Sequence, residues 1–288
     1  MQSKVSIIVP NYNHQIFLKE RLDSIFNQTF QDFEVLIFDD ASTDESLNIL
    51  KEYKNHPKVT SFIVNQTNSG SPFKQWKKGM ELAKSEYIWV AETDDFAALN
   101  FLEEQIKMVV NCDAVVAKTI SVDGLNGTES EVFHPVFSNT TTNSKLNGDM
   151  FFSSPIKNVS CAVFKRPSVN QLKKMTFDQF PYMGDQVFYF EFLKNKSISF
   201  NANTKSYFRR VDSSVSSLNK GINYFEKYFT QHLKFLKLIS PDIEPAKQKE
   251  YLKKHYNKIK NRTNLKQRFS LKYVTIVIKY YSRLWLSY

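Results

Sequence analysis

The sequence predicts an α/β fold, with a mostly parallel central sheet flanked by helices and a helical C-terminal extension. Three observations carry this. Over residues 1–117, short apolar runs alternate with segments of helical period. Such alternation implies parallel strands with crossover helices covering both faces of the sheet. From Ile222 onward the pattern is helical and strongly basic.

The elements follow in order. Val5–Val9 is an apolar strand run closed by Pro10, and Phe17–Asn27 places Leu18, Leu22 and Ile25 on one helical face. Glu34–Phe38 is the second strand, ending in Asp39-Asp40. Ser42-Thr43-Asp44-Glu45 then has the form of a capping box opening a helix through Tyr53. Val59–Val64 is a third strand, 73–84 a helix, Tyr87–Ala91 a fourth strand, Leu99–Val110 a helix and Ala114–Ala117 a strand. Residues 118–150 are rich in Ser, Thr, Asn and Gly and are expected to be loops. Lys157–Phe164 is expected as a strand, Gly184–Leu193 as a helix and Lys205–Arg210 as a last strand. Pro241 and Pro245 punctuate the helical tail. This divides the chain into residues 1–117, 118–215 and a basic helical extension, 216–288.

The 288 residues are 42% hydrophobic and 24% charged, a globular composition that excludes disorder. Two cysteines, Cys112 and Cys161, exclude a disulfide scaffold and are expected to be buried small hydrophobes. The five histidines show no metal-binding spacing and are expected to be ordinary surface or core residues. The opening apolar run, broken by Ser6, is too short for a signal peptide, which favours a cytoplasmic protein. No apolar stretch reaches the roughly 18 residues of a membrane span.

The net charge of +10 is uneven. Residues 1–215 hold 23 Lys and Arg against 25 Asp and Glu, whereas residues 216–288 hold 16 against 4. Aromatics interleave with these cations between 262 and 288: Phe269, Tyr273, Tyr280 and Tyr281 among Lys266, Arg268, Lys272 and Arg283. Such a segment suits an anionic membrane surface, or a helix packed on the domain with its lysines solvated. The near-neutral first part and the absence of a nucleic-acid-binding signature argue against nucleic acid as the partner.

In a doubly wound sheet, ligands bind outside the carboxyl ends of the strands. Polar residues gather at those ends here: Asn11-Tyr12-Asn13 after Pro10, Asp39-Asp40, and Glu92-Thr93-Asp94-Asp95. Neither a GxGxxG turn nor a Walker loop is present. Three carboxylates in four residues repel one another, and a hard divalent cation with room for phosphate oxygens removes that cost. An acidic loop capping the next helix is the alternative. Asp39 or Asp40 suits either a helix cap or hydrogen bonding to a base or sugar, and Tyr12 either plain exposure or stacking on a base.

Four segments, Val5–Asn13, Phe38–Asp44, Asn68-Ser69-Gly70-Ser71 and Glu92–Asp95, resemble the motifs of the family 2 glycosyltransferases, in the family's order and near its spacing. The resemblance covers about residues 3–215 and implies a GT-A fold that binds a nucleotide-diphosphosugar, with a UDP-sugar as the default donor. Carried over residue by residue, it implies that Pro10 and Tyr12 line the base and that Asp39 or Asp40 recognises it. Asp94 and Asp95 would serve ribose and a Mn²⁺ or Mg²⁺ ion, Asp95 foremost for the metal. Glu92 stands where the family often has Asp and is expected to support. Lys74 falls where many members carry a donor-side Arg, though its spacing to Gly79 looks one residue longer. Gly184-Asp185-Gln186 resembles the segment holding the acidic base, often two acids; here Asp185 is the lone candidate, and a helix cap is its structural alternative. Arg209 and Arg210 resemble arginines that contact the diphosphate, a solvated strand end being their structural alternative, with Val211 where many relatives have His. The implied reaction is an inverting, metal-dependent sugar transfer to a hydroxyl of a glycan acceptor, lipid-linked, in surface polysaccharide synthesis. The alternative is a nucleotide-sugar-binding module without catalysis that acts through partners.

Overall fold

The computed structural model describes residues 3–124, 127–132, 134, 137, 144–146, 148–210 and 221–285. The chain forms two compact units, one of Met1–Leu146 with Ser154–Val211, the other of Asn147–Ser153 with Asp212–Tyr288.

The first unit is built on one sheet. Its strands are β1 (Val5–Asn11), β2 (Phe33–Asp39), β3 (Val59–Val64), β4 (Tyr87–Val90), β5 (Phe96–Ala97), β6 (Ala114–Asp123), β7 (Glu129–Val132), β8 (Ser144–Lys145), β9 (Ala162–Lys165) and β10 (Ser197–Arg210). The order is β3-β2-β1-β4-β9-β6-β10-β5, with β7 against β6 and β8 against β10. β3, β2, β1 and β4 are mutually parallel. β9 is antiparallel to both β4 and β6, and β6 is parallel to β10. Along the main order, therefore, only β9 and β5 run against the rest. Every residue of β1 and β2 is buried, as expected where helices cover both faces.

Helices α1 (Gln15–Phe26), α2 (Ser46–Tyr53), α3 (Pro72–Leu82), α4 (Phe101–Val109), α5 (Val169–Lys174) and α6 (Gly184–Leu193) complete this unit. Leu18, Leu22 and Ile25 of α1 pack with Val5, Ile7 and Val9, with Val35 and Ile37, and with Trp89. Both cysteines are buried and free.

Several expectations are corrected. Ser42 does not open α2, which begins at Ser46 behind Glu45 at the cap position; Asp44, just before the cap, accepts the Ser46 N–H on Oδ1 at 3.0 Å. Ser42 is instead drawn to Asp39, which competes better than a helix still three residues away. Residues 118–123 are strand, not loop: Thr119 is β-branched, and Ile120 and Val122 alternate with polar positions, a period-two pattern hidden by polar composition. β7 and β8 also lie in the expected loop region. The expected strand at 157–164 is confined to Ala162–Lys165, because Val159–Cys161 forms a 3-10 turn capped by the Asn158 side chain. The last strand begins at Ser197, earlier than Lys205, and carries an irregularity between Asn201 and Lys205.

The second unit comprises α7 (Ile222–Ile239), α8 (Pro245–Arg262), α9 (Leu265–Arg268) and α10 (Leu271–Trp285). His232 and His255 are buried here with ring centroids 3.6 Å apart. His255 Nδ1 meets the Tyr228 hydroxyl at 2.9 Å, and His232 Nδ1 meets that of Tyr251.

Candidate active site

The carboxyl ends of β1, β2 and β4 form one rim. The turns after β1 and β2 are laced together through Asn11, Asn13 and Ser42. Asp39 Oδ1 accepts Asn11 Nδ2 at 2.8 Å and the Ser42 hydroxyl at 2.6 Å, and its Oδ2 accepts the Ser42 N–H at 2.9 Å. Asn13 Oδ1 accepts the Thr43 N–H at 2.7 Å. These bonds hold Asn13 at φ 53° and Ala41 at φ 60°, left-handed conformations that cost energy in a residue with a Cβ.

Asp40 is anchored differently. Its Oδ1 accepts Asn65 Nδ2 at 2.6 Å, the Ser69 N–H reaches both oxygens at 3.0 Å, and the Ser69 hydroxyl donates to Oδ2 at 2.8 Å. A carboxylate offers about four acceptor sites. Asp40 is thereby saturated, while Asp39 keeps capacity on Oδ2. The two acids that the sequence could not separate thus differ in what they have left to offer. Gly70, at φ 76°, makes the turn that follows, and Lys74 Nζ closes it by donating to the Ser69 carbonyl at 2.8 Å. Pro10 is buried at the end of β1, and Tyr12 is exposed beside it.

The acidic segment follows β4. Trp76 Nε1–H on α3 donates to Glu92 Oε1 at 2.6 Å, and the Glu92 N–H donates to Ser160 Oγ at 3.1 Å. Asp95 is buried; its Oδ2 accepts Asn158 Nδ2 at 2.9 Å and its Oδ1 accepts the Arg209 N–H at 3.3 Å. Asp94 is partly exposed. Thr93 ties this segment to the first turn, donating to the Pro10 carbonyl at 3.3 Å and sharing a 2.7 Å hydrogen bond with His14 Nδ1.

Beneath the three acids lies Arg21 of α1. It is fully buried, its guanidinium is 4.8 Å from the Trp89 ring centroid, and its three nitrogens have no hydrogen-bond partner. It feels the charge of Asp95, Asp94 and Glu92. Burial lowers its pKa to about 10, so it stays a cation. Even so, burial and the neighbouring Asp94 push Asp95 up to about 7, and burial with the same neighbour raises Glu92 well above the carboxylate range. One buried cation therefore leaves three crowded acids under-compensated. A divalent cation fits that deficit, with Asp94 presenting the more accessible carboxylate. Among the described residues, no three His, Cys, Asp or Glu side chains converge as a metal cluster.

The third part comes from α6. Met183 occupies the cap position without a side-chain bond, so Asp185 lies inside the first turn and is not the helix cap. Burial raises its pKa, while the N–H groups of Asp185 and Gln186 and the charge of Lys157 partly offset that. A Cβ on Gly184 would fall 2.4 Å from the Phe73 ring and 2.7 Å from the Phe177 carbonyl. That contact explains why a second acid has no place before Asp185. Phe73 packs edge-on to Trp76, and Trp76 to Phe188, so one aromatic group joins α6 to the indole that holds Glu92. One turn after Asp185, the Tyr189 hydroxyl is buried without a hydrogen-bond partner and feels the charges of both Asp185 and Glu92.

The structure thus gathers Pro10, Asp39, Asp94 and Asp95 on one rim, while Asp185 stands in the first turn of α6, one turn before the buried Tyr189 hydroxyl. Arg209 is less free than expected: its guanidinium is ion-paired with Glu20 at 2.5 Å and lies over Phe17 and Phe96. Arg210 is exposed. Val211 lies outside the described residues. Sequence reasoning missed Arg21, His14, Asn158 and Tyr189, and took Trp76 for core alone, where it is buried and also donates to Glu92. Only Arg21 carried a signal, an arginine on the apolar face of a core helix beside Leu18 and Leu22.

Comparison with known proteins shows the family and the fold. The sequence model described as glycosyl transferase family 2 matches residues 6–173, more than half of the chain. A poly(ribitol-phosphate) β-glucosyltransferase of Bacillus spizizenii is 40% identical over 95 residues, covering 32% of this chain and 15% of that protein. The poly(ribitol-phosphate) β-N-acetylglucosaminyltransferase TarP of Staphylococcus aureus is 27% identical over 230 residues, 76% of this chain and 66% of the relative. A Campylobacter jejuni GalNAc(5)-diNAcBac-PP-undecaprenol β-1,3-glucosyltransferase is 24% identical over 87% of this chain and 78% of its own. The chain therefore spans only a small part of some relatives and most of others. In structure, S. aureus TarS 1–349 in complex with UDP-GlcNAc superposes with a TM-score of 0.69 at 23% identity, covering 99% of this chain and 81% of that one. A Pyrobaculum calidifontis mannosyltransferase, in complex with GDP-Man and Mn²⁺, gives 0.56 at 14% identity over 100% of this chain and 84% of its own. The architecture is that of the GT-A glycosyltransferases, and with the family's sequence pattern covering more than half of it, the chain belongs to glycosyl transferase family 2.

Proposed function

We propose that the chain is an inverting, metal-dependent glycosyltransferase that moves a sugar from a nucleotide-diphosphosugar to a glycan hydroxyl. The observation that carries this is the gathering of Asp39, Asp94 and Asp95 at and just after the carboxyl ends of β2 and β4, with Asp185 in the first turn of α6. Residues 1–117 would hold the donor, 118–215 the acceptor and the base, and 216–288 would form the extension.

Asp39, with acceptor capacity left on Oδ2, takes a hydrogen bond from the base, while Asp40 holds the loop that Lys74 closes. Tyr12 stacks on the base beside Pro10. Asp94 and Asp95 would hold a Mn²⁺ or Mg²⁺ ion, which would supply positive charge to offset that of the diphosphate. Arg210 reaches the same diphosphate, and Arg209 supplies its backbone N–H to Asp95. Asp185 accepts the proton of the acceptor hydroxyl as that oxygen bonds to the anomeric carbon; the bond from that carbon to the diphosphate oxygen breaks on the opposite face, and configuration inverts. Burial that raises the Asp185 pKa strengthens it as a base.

A UDP-sugar is the first donor to try, and a lipid-linked glycan of surface polysaccharide synthesis the acceptor class. Relatives whose names carry poly(ribitol-phosphate) and polyprenyl-linked glycans support this. The setting would be cytoplasmic, with residues 262–288 against an anionic membrane surface; no described helix is long and apolar enough to cross a membrane.

Thermal shift with UDP-, GDP- and dTDP-sugars, with and without Mn²⁺, tests the reading. One nucleotide should raise the midpoint in a metal-dependent way, and Asp95→Ala should abolish the shift. Asp185→Asn should keep the shift and lose about 10²–10⁴ in turnover. Full turnover by Asp185→Asn would remove the assigned base.

A further inference from the structure

α10 has two apolar faces, and only one is used. Tyr273, Ile276 and Tyr280 are buried, with Tyr280 stacked on Tyr256 of α8 at 4.1 Å. Leu271, Val274, Ile278 and Tyr281 lie on the other side at positions i, i+3, i+7 and i+10, which place them on one stripe. That stripe is open: Leu271 is 86% exposed and Ile278 62%. In and just after α9, Leu265 is 72% and Phe269 86% exposed. Leucine and phenylalanine held this far into water, in a row, mark a surface that is covered in use.

Charge identifies the cover. Residues 251–288 contain ten Lys and Arg and no Asp or Glu. Arg262 and Lys266 are exposed on α8 and α9, Lys272 is exposed on α10 with its Nζ donating to Asn223 of α7, and Lys253, Lys254 and Lys258 are exposed on α8. A second copy docking through this face would bring two such cationic surfaces together without a counter-charge. An anionic lipid surface supplies both parts at once, phosphates for the cations and an acyl boundary for the apolar side chains.

We propose that the outer face of α9 and α10, centred on Phe269, Leu271 and Ile278, inserts into the headgroup boundary of an anionic bilayer, with α10 lying along the surface. α10 is then about 22 Å long in that plane, from 1.5 Å per residue. This refines the membrane part of the reading above and rests on it, and it requires nothing of the donor site.

The test is sedimentation of the full chain with vesicles of phosphatidylcholine alone and of phosphatidylcholine mixed with phosphatidylglycerol. Binding should be at least about tenfold stronger to the anionic vesicles and fall steeply with salt. Phe269→Ser, Leu271→Ser and Ile278→Ser combined should lower it about tenfold or more, because the loss is that of buried apolar area. These side chains are exposed, so the variant's melting midpoint and its UDP-sugar shift should stay at wild type. Three outcomes overturn the proposal: equal binding to both vesicles, no binding to either, or a wild-type dimer that the triple variant turns into monomer. Because donor binding is read separately, a failure at the vesicle leaves the transferase reading standing. A failure at the donor likewise leaves the vesicle result to be judged alone.

Discussion

Replacing Asp39 and Asp40 one at a time with Asn should separate two acids that stand side by side in the sequence. Asp40 accepts from Asn65 Nδ2, from the Ser69 hydroxyl and from the Ser69 N–H. An amide keeps one acceptor oxygen and sets an NH₂ group against a donor, whichever way it turns. Hydrogen bonds to a charged group contribute about 1.5–3 kcal/mol each, and this loop is partly exposed, so Asp40→Asn should cost about 2–4 kcal/mol. For a domain of this size that lowers Tm by roughly 5–15 °C. Asp39→Asn retains Oδ1 for Asn11 and Ser42 but sets its NH₂ group against the Ser42 N–H, one bond at 2.9 Å worth about 1.5–3 kcal/mol by the same measure. Its distinguishing effect should fall on the nucleotide, where an amide donor replaces the acceptor facing a base N–H. A loss of about 1.5–3 kcal/mol there is a roughly 10- to 150-fold weaker Kd. Differential scanning fluorimetry gives the first quantity and calorimetric titration with the UDP-sugar the second. Asp39→Asn with donor affinity within twofold of wild type would refute the lone-pair argument. So would an Asp40→Asn protein that melts normally and binds no donor.

Gly184→Ala should destabilise the first unit by about 1–3 kcal/mol and lower turnover, because the added methyl must displace Phe73 or the Phe177 carbonyl at the base of Asp185; an unchanged melt and rate would show that α6 shifts freely. Burial alone would raise Glu34, but hydrogen bonds from Ser6, the Lys84 N–H, Thr60 and Ser85 outweigh it and hold the carboxyl below its ordinary range. Its stabilisation is therefore present above about pH 4.5 and lost as pH falls through the folded value, so Glu34→Gln should cost about 1–3 kcal/mol at pH 7 and much less near pH 3 in denaturant titrations; a pH-independent difference would contradict the linkage.

The alternation of strands and helices over residues 1–117 was legible because each element carries its own period, and burial on both sheet faces leaves its mark as apolar runs such as Val5–Val9. The residues at the strand ends were legible for a related reason. A ligand outside the carboxyl ends of parallel strands must be met by what directly follows each strand, so Asn11, Asp39 and Asp94 stand beside their strands in the sequence as they do in space. Polar composition misled at 118–123, where Thr119 and Ser121 are strand residues paired on both sides by β7 and β10. A local motif misled at Ser42, whose hydroxyl found a buried carboxylate three residues behind it before any helix ahead.

The sequence by itself determined the order of the elements, the family and the carboxylates from which a site is built, since these depend on local pattern and spacing. Only the tertiary structure decided which acid is already saturated, why Gly184 stands before Asp185, and that Arg21 lies beneath Asp95. Each depends on residues from about 30 to more than 100 positions apart, and hydrogen-bond capacity, free volume and charge compensation are settled only once the chain has brought such residues together.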